Sequence, residues 1–492
     1  MSFGNSAGVY PRIIDRSFTV SGGGVSAGGV VITSPSGPLE PTYITSGQDF
    51  IDTYGLPSKD NPSMYAALRF INRAAALTVV RVINDATAAT GVLDDGGSPA
   101  TPIMNFTALS PGAWGNKLSI GFGLLAGDDE DSNQFVLTVS LDGNEVERFE
   151  VSRDPEAKNG FGTTLYVEEV VNRRSNYIRV EDDPSFAVGG TWNKNQTVTF
   201  SNGADDTSVA SEGDIIRAYE RMGNTDEVEA QILINAGWAT PAVQKAMDSV
   251  AAQRDDAVAI LDVPMDFRTS PDDMVEYQNV DLKLDSHLSG LYGGWVKVYD
   301  KFNDRNVDIP PSGDVAANFV ETFEDAERWD APAGMRRGVI PNSLGVTRIF
   351  NERERDLLYN NRINPVTTYA GSSSIIWGQK TLQKAQSALT RFNVVNSVLY
   401  IQDRVSESLK PFVFEPNTQF TRDNIEFLID SFLGNIQTRG GLYDYLVDLS
   451  KNTPAVIDRN ELIVEVRLQP VRAAEFIRLN IIVDRTGISY GG

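Results

Sequence analysis

Cysteine is absent and histidine occurs once, as His287, in a chain of 492 residues. These two absences exclude disulfides, thiolate metal centres, cysteine nucleophiles and multi-histidine zinc sites. Stability must come from packing, and any larger assembly from non-covalent contacts. No run of 18 or more apolar residues occurs, which leaves no candidate for a membrane-spanning helix. Residues 1–21 lack the basic-then-apolar order of a signal peptide, so synthesis and assembly in a cytosol are expected. Positive charge is scarce too: 43 Lys and Arg stand against 66 Asp and Glu, a net of −23. That balance argues against a nucleic-acid binder, because phosphate binding needs a basic field. The excess is concentrated between residues 85 and 215, where 22 acids meet 8 bases, against 44 and 35 elsewhere. An acidic, Gly-, Asn- and Thr-rich stretch of this kind reads as a solvated, outward-facing module.

What is present is enough apolar matter for packed cores, 41% hydrophobic and 9% aromatic, spread over about three domains. Residues 1–29 are Gly- and Ser-rich with short extended stretches at 9–14 and 18–20, and look like an arm. From 28 to 82 the order is strand, short strand, two helices and strand (29–34, 43–45, 48–54, 64–73, 77–82), an incomplete α/β unit. Residues 87–102 read as a small-residue linker. Beyond it, β-type runs at 117–125, 134–141, 145–151, 177–180 and 197–200 are separated by Gly, Asn and Asp turns, a small barrel or sandwich inserted into the α/β pattern. After 214, strand and helix alternate. A strand at 230–235 is followed by Thr240 as N-cap with Pro241 in the first turn, an apolar helix face of Val243, Met247, Val250 and Ala251, and a strand at 258–262. That crossover length predicts a parallel βαβ unit. From 375 onward, helical periods run through 382–389, 398–409 and 424–436, the last ending at Gly440-Gly441.

No catalytic, cofactor or metal constellation emerges. His287 has Asp285 and Ser286 only as chain neighbours, and no Gly-x-Ser-x-Gly elbow occurs. The run Asp128-Asp129-Glu130-Asp131 lacks the ligand spacing of an EF-hand loop and reads as a solvated turn. Trp377-Gly378-Gln379-Lys380-Thr381 lacks the earlier Gly of a phosphate loop. The basic group Arg336, Arg337, Arg348, Arg353 and Arg355 sits among acids, either as a solvated face or as partners for cross-subunit ion pairs.

The C-terminal segment is more informative. Leu462, Val464, Val466 and Leu468 alternate with polar or solvent-facing positions, and after Pro470 so do Ile477, Leu479, Ile481 and Val483. Both runs read as half-buried strands. Burying four aliphatic side chains contributes roughly 6–12 kcal/mol, while ordering a ten-residue strand costs about 1–2 kcal/mol per residue. The last strand therefore needs a pre-formed sheet edge, supplied either by its own domain or by another chain.

Several short segments, taken in order, resemble the tail sheath proteins of contractile bacteriophages. They are Gly8-Val9-Tyr10-Pro11; Gly37-Pro38 with Ile44-Thr45-Ser46, Asp49-Phe50 and Tyr54-Gly55; Val79-Val80-Arg81-Val82; Pro111-Gly112-Ala113-Trp114-Gly115-Asn116; Ile376-Trp377-Gly378-Gln379-Lys380-Thr381-Leu382; Phe414-Glu415-Pro416-Asn417; and Pro470 with Ala474-Glu475-Phe476-Ile477. Lys380 stands where the family usually carries Arg. The resemblance implies a multidomain α/β and α+β chain. A subtilisin-like α/β middle domain would be formed by 21–86 with 215–370, an inserted outer β-barrel or sandwich by 87–214, and an inner C-terminal α+β domain by 371–471. Strand-donating arms would be 1–20 and 472–492, with Val9, Tyr10, Ile13, Ile14, Ile477, Leu479, Ile481 and Val483 as the added-strand residues and Leu462, Val464, Val466 and Leu468 as the acceptor sheet. It further implies homo-hexameric rings stacked in a helical polymer around a tail tube, with baseplate and tail terminator proteins as further partners. Lys380, Lys384 and Arg391 would be the basic candidates facing the tube. Neither nucleic acid nor membrane insertion is expected, and no cofactor. A phage-tail-like injection particle shares these features, and a cryptic hydrolase on the subtilisin-like domain is the enzyme alternative, although fold alone brings no triad.

Overall fold

The computed structural model describes residues 27–125, 133–188, 190, 192–206, 209–369 and 373–476. Among the described residues two compact units emerge, one from residues 27–321 with Ala333–Lys384, the other from Thr322–Pro332 with residues 385–476. The larger unit runs on to Lys384, and residues 380–384 are stitched to it. Lys380 N–H donates to Asn364 Oδ1, Leu382 N–H to Ser289 O and Lys384 N–H to Asp285 Oδ1, at 2.7, 2.9 and 2.7 Å. These bonds commit the backbone of 380–384 to the larger unit. The α-helix expected over 382–389 is reduced to a 3₁₀ turn at Ala388–Thr390, and the first α-helix after it is Phe392–Leu409.

The larger unit is built on a nine-stranded sheet in the order Val339–Ile340, Ser374–Ile376, Ile363–Thr368, Ser289–Gly293, Val258–Asp262, Ile232–Ile234, Gly28–Ile32, Leu77–Arg81, Thr42–Ile44. The strands from Ile363–Thr368 through Leu77–Arg81 pair in parallel, and the outer ones antiparallel. Gly28–Ile32, Leu77–Arg81, Val258–Asp262 and Ser289–Gly293 are buried at every residue. Their mainly apolar runs are what a sheet covered on both faces demands, with the polar residues Thr78, Arg81, Asp262 and Ser289 buried as well. The crossover helix is Pro241–Arg254, with Thr240 at the N-cap and a left-handed Asp255 closing its C-terminus. Thr240 does not cap with its side chain, however. Its hydroxyl donates to the Glu212 carboxylate instead.

Residues 87–206 carry the β-rich module. Thr90–Asp94, Pro102–Ala108 and Ile178–Asp182 form one sheet; Thr197–Thr199, Leu118–Gly123, Gln134–Leu141 and Asn144–Ser152 form another. The expected linker at 87–102 is thus partly strand. Its inward residues are Gly91 and Leu93, and a Cβ at Gly91 would meet Val198 at 2.8 Å. The missing side chain at Gly91 permits this close approach and hides the alternation from a sequence reading. The helix Val167–Arg174 is likewise unannounced, being only eight residues long. Trp192 stands edge-on to Phe122 and Phe135 at 5.3 and 5.4 Å, the centre of the module's core.

The junction between module and sheet is fixed by polar groups. Arg81, at the end of its strand and buried, donates to Ser34 O, Gly37 O and Pro111 O at 3.1, 2.9 and 2.9 Å. Asp206 Oδ1 accepts three successive backbone N–H groups, those of Asn84, Asp85 and Ala86, each at 2.8 Å. Asn116 exchanges two hydrogen bonds with the backbone of Gly203, at 2.7 and 2.8 Å. Gly112 has φ +139°, and a Cβ there would lie 2.2 Å from Pro35 O. The Pro111–Asn116 motif is therefore a joint.

The smaller unit packs the helices Phe392–Leu409 and Gln419–Thr438 with an antiparallel hairpin, Leu442–Asp448 against Glu465–Pro470. Ile425, Ile429, Leu433 and Ile436 recur on one helical face of Gln419–Thr438 and fill its core. The helix starts at Thr418, whose hydroxyl accepts from Thr421 N–H.

Candidate functional site

The hairpin of the smaller unit is the element closest to the assembly site that the sequence implies. Glu465–Pro470 begins later than the expected 462–468, and the reason is Asn452. Its side chain accepts from Ile463 N–H at 2.8 Å and donates to Ile463 O at 2.7 Å and Leu449 O at 2.8 Å, so the backbone before Glu465 is occupied by an amide instead of a strand. Of the acceptor candidates, Val466 and Leu468 lie in the strand, while Leu462 and Val464 precede it. All four pack against the same core, beside Tyr445 and Val447 of the opposing strand. That opposing strand, Leu442–Asp448, is not foreseen in the sequence. Its Tyr-Asp-Tyr start carries little apolar alternation, and Gly440-Gly441 marks the helix end more loudly than the strand beginning.

In register, Tyr445 faces Leu468 and Val447 faces Val466 on the core side, while Leu446 and Arg467 pair on the solvent side. The sheet has only these two strands among the described residues. An isolated two-stranded sheet is marginal in water, and its unpaired N–H and C=O rows can template a further strand. The residues expected to supply such strands, Val9, Tyr10, Ile13, Ile14, Ile477, Leu479, Ile481 and Val483, lie outside the described residues.

Near the start of the hairpin's partner helix, Phe414-Glu415-Pro416-Asn417 builds a second feature. Asn417 Nδ2 donates to Glu461 O at 2.8 Å, Arg422 donates to Asn417 Oδ1 at 2.6 Å and Thr421 Oγ1 donates to Pro416 O at 2.7 Å. This scaffold holds Phe414 fully exposed in a left-handed conformation, φ +74°. A bulky residue is rarely found there. Beside it runs a cavity of about 790 Å³ lined by Leu409, Phe412, Ile425, Ile457, Leu462 and Val464.

The three basic candidates are each engaged differently. Lys380 Nζ donates to Tyr359 O at 2.7 Å and lies over the Tyr359 ring at 3.9 Å, so its charge is held inside the larger unit. The Lys384 side chain is exposed. Arg391 is paired with Glu475 at 2.6 Å.

The larger unit offers a crevice of about 650 Å³ at the carboxyl ends of Gly28–Ile32 and Ile232–Ile234, lined in part by Ser34, Asp205, Asp206, Gly237 and Trp238. That is where strand order reverses, the usual ligand position in open α/β sheets. Its carboxylates serve loops instead: Asp205 Oδ1 accepts Ala113 N–H at 2.7 Å and Asp206 holds the three amides named above. Beside the crevice, Asp262 is wholly buried, accepting from Ser312 N–H, Ser312 Oγ and Gly237 N–H at 2.8, 2.6 and 2.9 Å. Burial pushes its carboxyl up to about 7, against the hydrogen bonds that favour the anion. Asn235 and Gln244 close the network, with no imidazole or amine in it to act as a base. His287 is half-buried elsewhere, and its neighbours are committed: Asp285 accepts Lys384 N–H, and Ser286 Oγ accepts Leu288 N–H. Among the described residues, no three His, Cys, Asp or Glu side chains are placed to hold a metal ion, and no helix is long and apolar enough to cross a membrane.

Residues 384–484 match the family model described as the phage tail sheath C-terminal domain. The tail sheath protein of Vibrio phage KVP40 is 30% identical over 390 residues, covering 73% of this chain and 56% of that protein, so the chain spans a little over half the length of this relative. Two solved structures share the fold. A sheath tail protein from Listeria innocua has a TM-score of 0.63 at 14% identity, covering 92% of this chain and 97% of that one. The contracted helical sheath of the anti-feeding prophage has a TM-score of 0.58 at 15% identity, covering 98% of this chain and all of that one. The mixed α/β, multi-sheet architecture is the one sheath proteins carry, and by sequence this chain belongs to the contractile phage tail sheath family.

Proposed function

We propose that the chain is the structural subunit of a contractile tail sheath, without enzymatic activity. Homo-hexameric rings would stack helically around a tail tube, meet baseplate and terminator proteins at the ends, and shorten to drive the tube through a host envelope for genome delivery. The larger unit would supply a subtilisin-like middle domain with the acidic module facing outward, and the smaller unit would form the inner domain toward the tube. Arms at 1–20 and 472–492 would add strands to neighbours, the assembly taking place in the host cytoplasm and the product residing in the virion tail.

The observation that carries this reading is the two-stranded Leu442–Asp448/Glu465–Pro470 sheet, whose inner face is half-buried against the unit's core and whose edges have no third strand among the described residues. Strand addition joins subunits through backbone hydrogen bonds that resist shear, while a linker lets the donor swing. A few kcal/mol per subunit is enough for a lattice to switch when hundreds switch together. The fold shared with the anti-feeding prophage sheath favours a second reading, a phage-tail-like injection particle such as a tailocin or secretion apparatus, with the same subunit mechanics.

Electron microscopy of the purified full-length protein tests this. Sixfold tubes of regular helical pitch support it, and their diameters distinguish extended from contracted states. A protein that stays monomeric or forms only irregular aggregates over a range of concentration and salt contradicts it.

A further inference from the structure

Strand donation poses a physical problem at the hairpin itself. A strand that starts shortly after Pro470 is tethered to its own hairpin's edge at roughly millimolar effective concentration. A turn of about two to five residues would fold it back antiparallel. Self-capture therefore competes with donation to a second copy, and the six residues 471–476 decide the outcome.

Those residues are held along the first turn of the Phe392–Leu409 helix. Val471 N–H closes the ladder on Gly441 O at 3.2 Å, and Val471 O accepts from Asn393 Nδ2 at 3.4 Å. Glu475 Oε1 then accepts from Arg391 Nε at 2.6 Å. Both anchors are themselves fixed. Asn393 Nδ2 also donates to Trp329 O at 3.2 Å, and the Arg391 guanidinium donates to Thr390 O at 3.1 Å. Gly441 is packed so closely on Trp329 that a Cβ would lie 2.6 Å from the indole. The Arg391 and Glu475 side chains are 25% and 17% exposed, so their pair is partly withdrawn from water, where a charge-assisted bond outperforms a surface ion pair. The residues that a fold-back turn would use are thus committed to the helix.

We propose that the Arg391–Glu475 pair is a latch that denies the C-terminal segment its own hairpin and points it outward to a second copy of this chain. The inference rests on the strand-donation reading and adds its regulation: donation is favoured because the intramolecular alternative is blocked at the exit.

The test uses the full chain with Arg391→Ala, Glu475→Ala and the exchanged pair Arg391→Glu/Glu475→Arg. Each single variant should raise the concentration needed for tube formation on the order of tenfold, the scale of one charge-assisted bond. In the unassembled protein, amides of Ile477–Val483 should gain protection from hydrogen exchange as the segment closes on its own hairpin, and the exchanged pair should reverse both effects. Single variants that assemble at the wild-type concentration overturn the latch. So do variants that lose assembly without gaining protection, since they would show a merely structural role. A chain ending at Phe476 separates the two ideas. If it still forms tubes, strand donation fails and the latch with it; if it does not, while the single variants assemble normally, only the latch fails.

Discussion

Replacing Arg81 by alanine and, separately, by methionine asks whether the joint beneath the β-rich module is held by hydrogen bonds or by packing. Arg81 is 3% exposed and donates to three carbonyls, at 3.1, 2.9 and 2.9 Å. Leaving a buried acceptor without its donor costs about 1–3 kcal/mol, so three together cost about 6 kcal/mol. Removing the guanidinium also removes its desolvation penalty. Burial lowers the Arg81 pKa from 12.5 to about 10, equivalent to roughly 3 kcal/mol. The net expectation is a loss of about 3 kcal/mol, read as a shift in the urea midpoint of the larger unit with an unchanged slope. The methionine variant discriminates further. It restores most of the volume but offers no donor, and it keeps water from reaching the carbonyls, so it should be at least as destabilised as the alanine variant. Limited proteolysis should find new cleavage at 83–88 in both. A methionine variant with wild-type stability would refute the reasoning, because packing alone would then account for Arg81.

Three further outcomes follow from individual residues. The Asp262 carboxyl titrates near 7 in the fold against 3.8 when free, so the folded form keeps a proton that the unfolded chain has released between those values. Stability is therefore fully present below about pH 4, falls as pH rises toward 7, and levels off above it, a span on the order of 4 kcal/mol; melting curves at pH 5 and 8 measure this, and Asp262→Asn should flatten the dependence. Asn452→Ala frees both backbone groups of Ile463 and should cost about 2 kcal/mol, with amide exchange at Ile463 rising ahead of global unfolding. Gly112→Ala must move Pro35 or abandon φ +139°, and should destabilise the joint by about 1–3 kcal/mol in the same urea assay.

How much was legible in the sequence depended on whether the signal was local. The buried strands announced themselves: Val258–Asp262 and Gln134–Leu141 stand at their expected limits because apolar runs and turn residues bound them directly. The Thr240-Pro241 helix start was equally plain, although the Thr240 hydroxyl serves Glu212, a partner that no local pattern reveals. The failures share a cause. Thr90–Asp94 is a strand because Gly91 and Leu93 meet a surface made by distant residues, and 382–389 is not an α-helix because Ser289 and Asp285 capture the backbone at its start. Glu465–Pro470 starts where it does because Asn452 occupies Ile463. At the candidate site, Val466 and Leu468 were readable by alternation, whereas Tyr445 and Val447 opposite them were not, since their strand is half polar. Arg391 illustrates the limit for charges: sequence gives its sign, and only the fold shows that Glu475 takes it up.

The central claim is that subunits are joined by strands donated from outside the described core, and a chain ending at Phe476 tests it most directly. Sedimentation and electron microscopy of that chain beside the full-length protein should show a folded, soluble subunit with an unchanged melting transition that forms no tubes at any concentration where the full chain does. Regular sixfold tubes from the shortened chain would contradict the account.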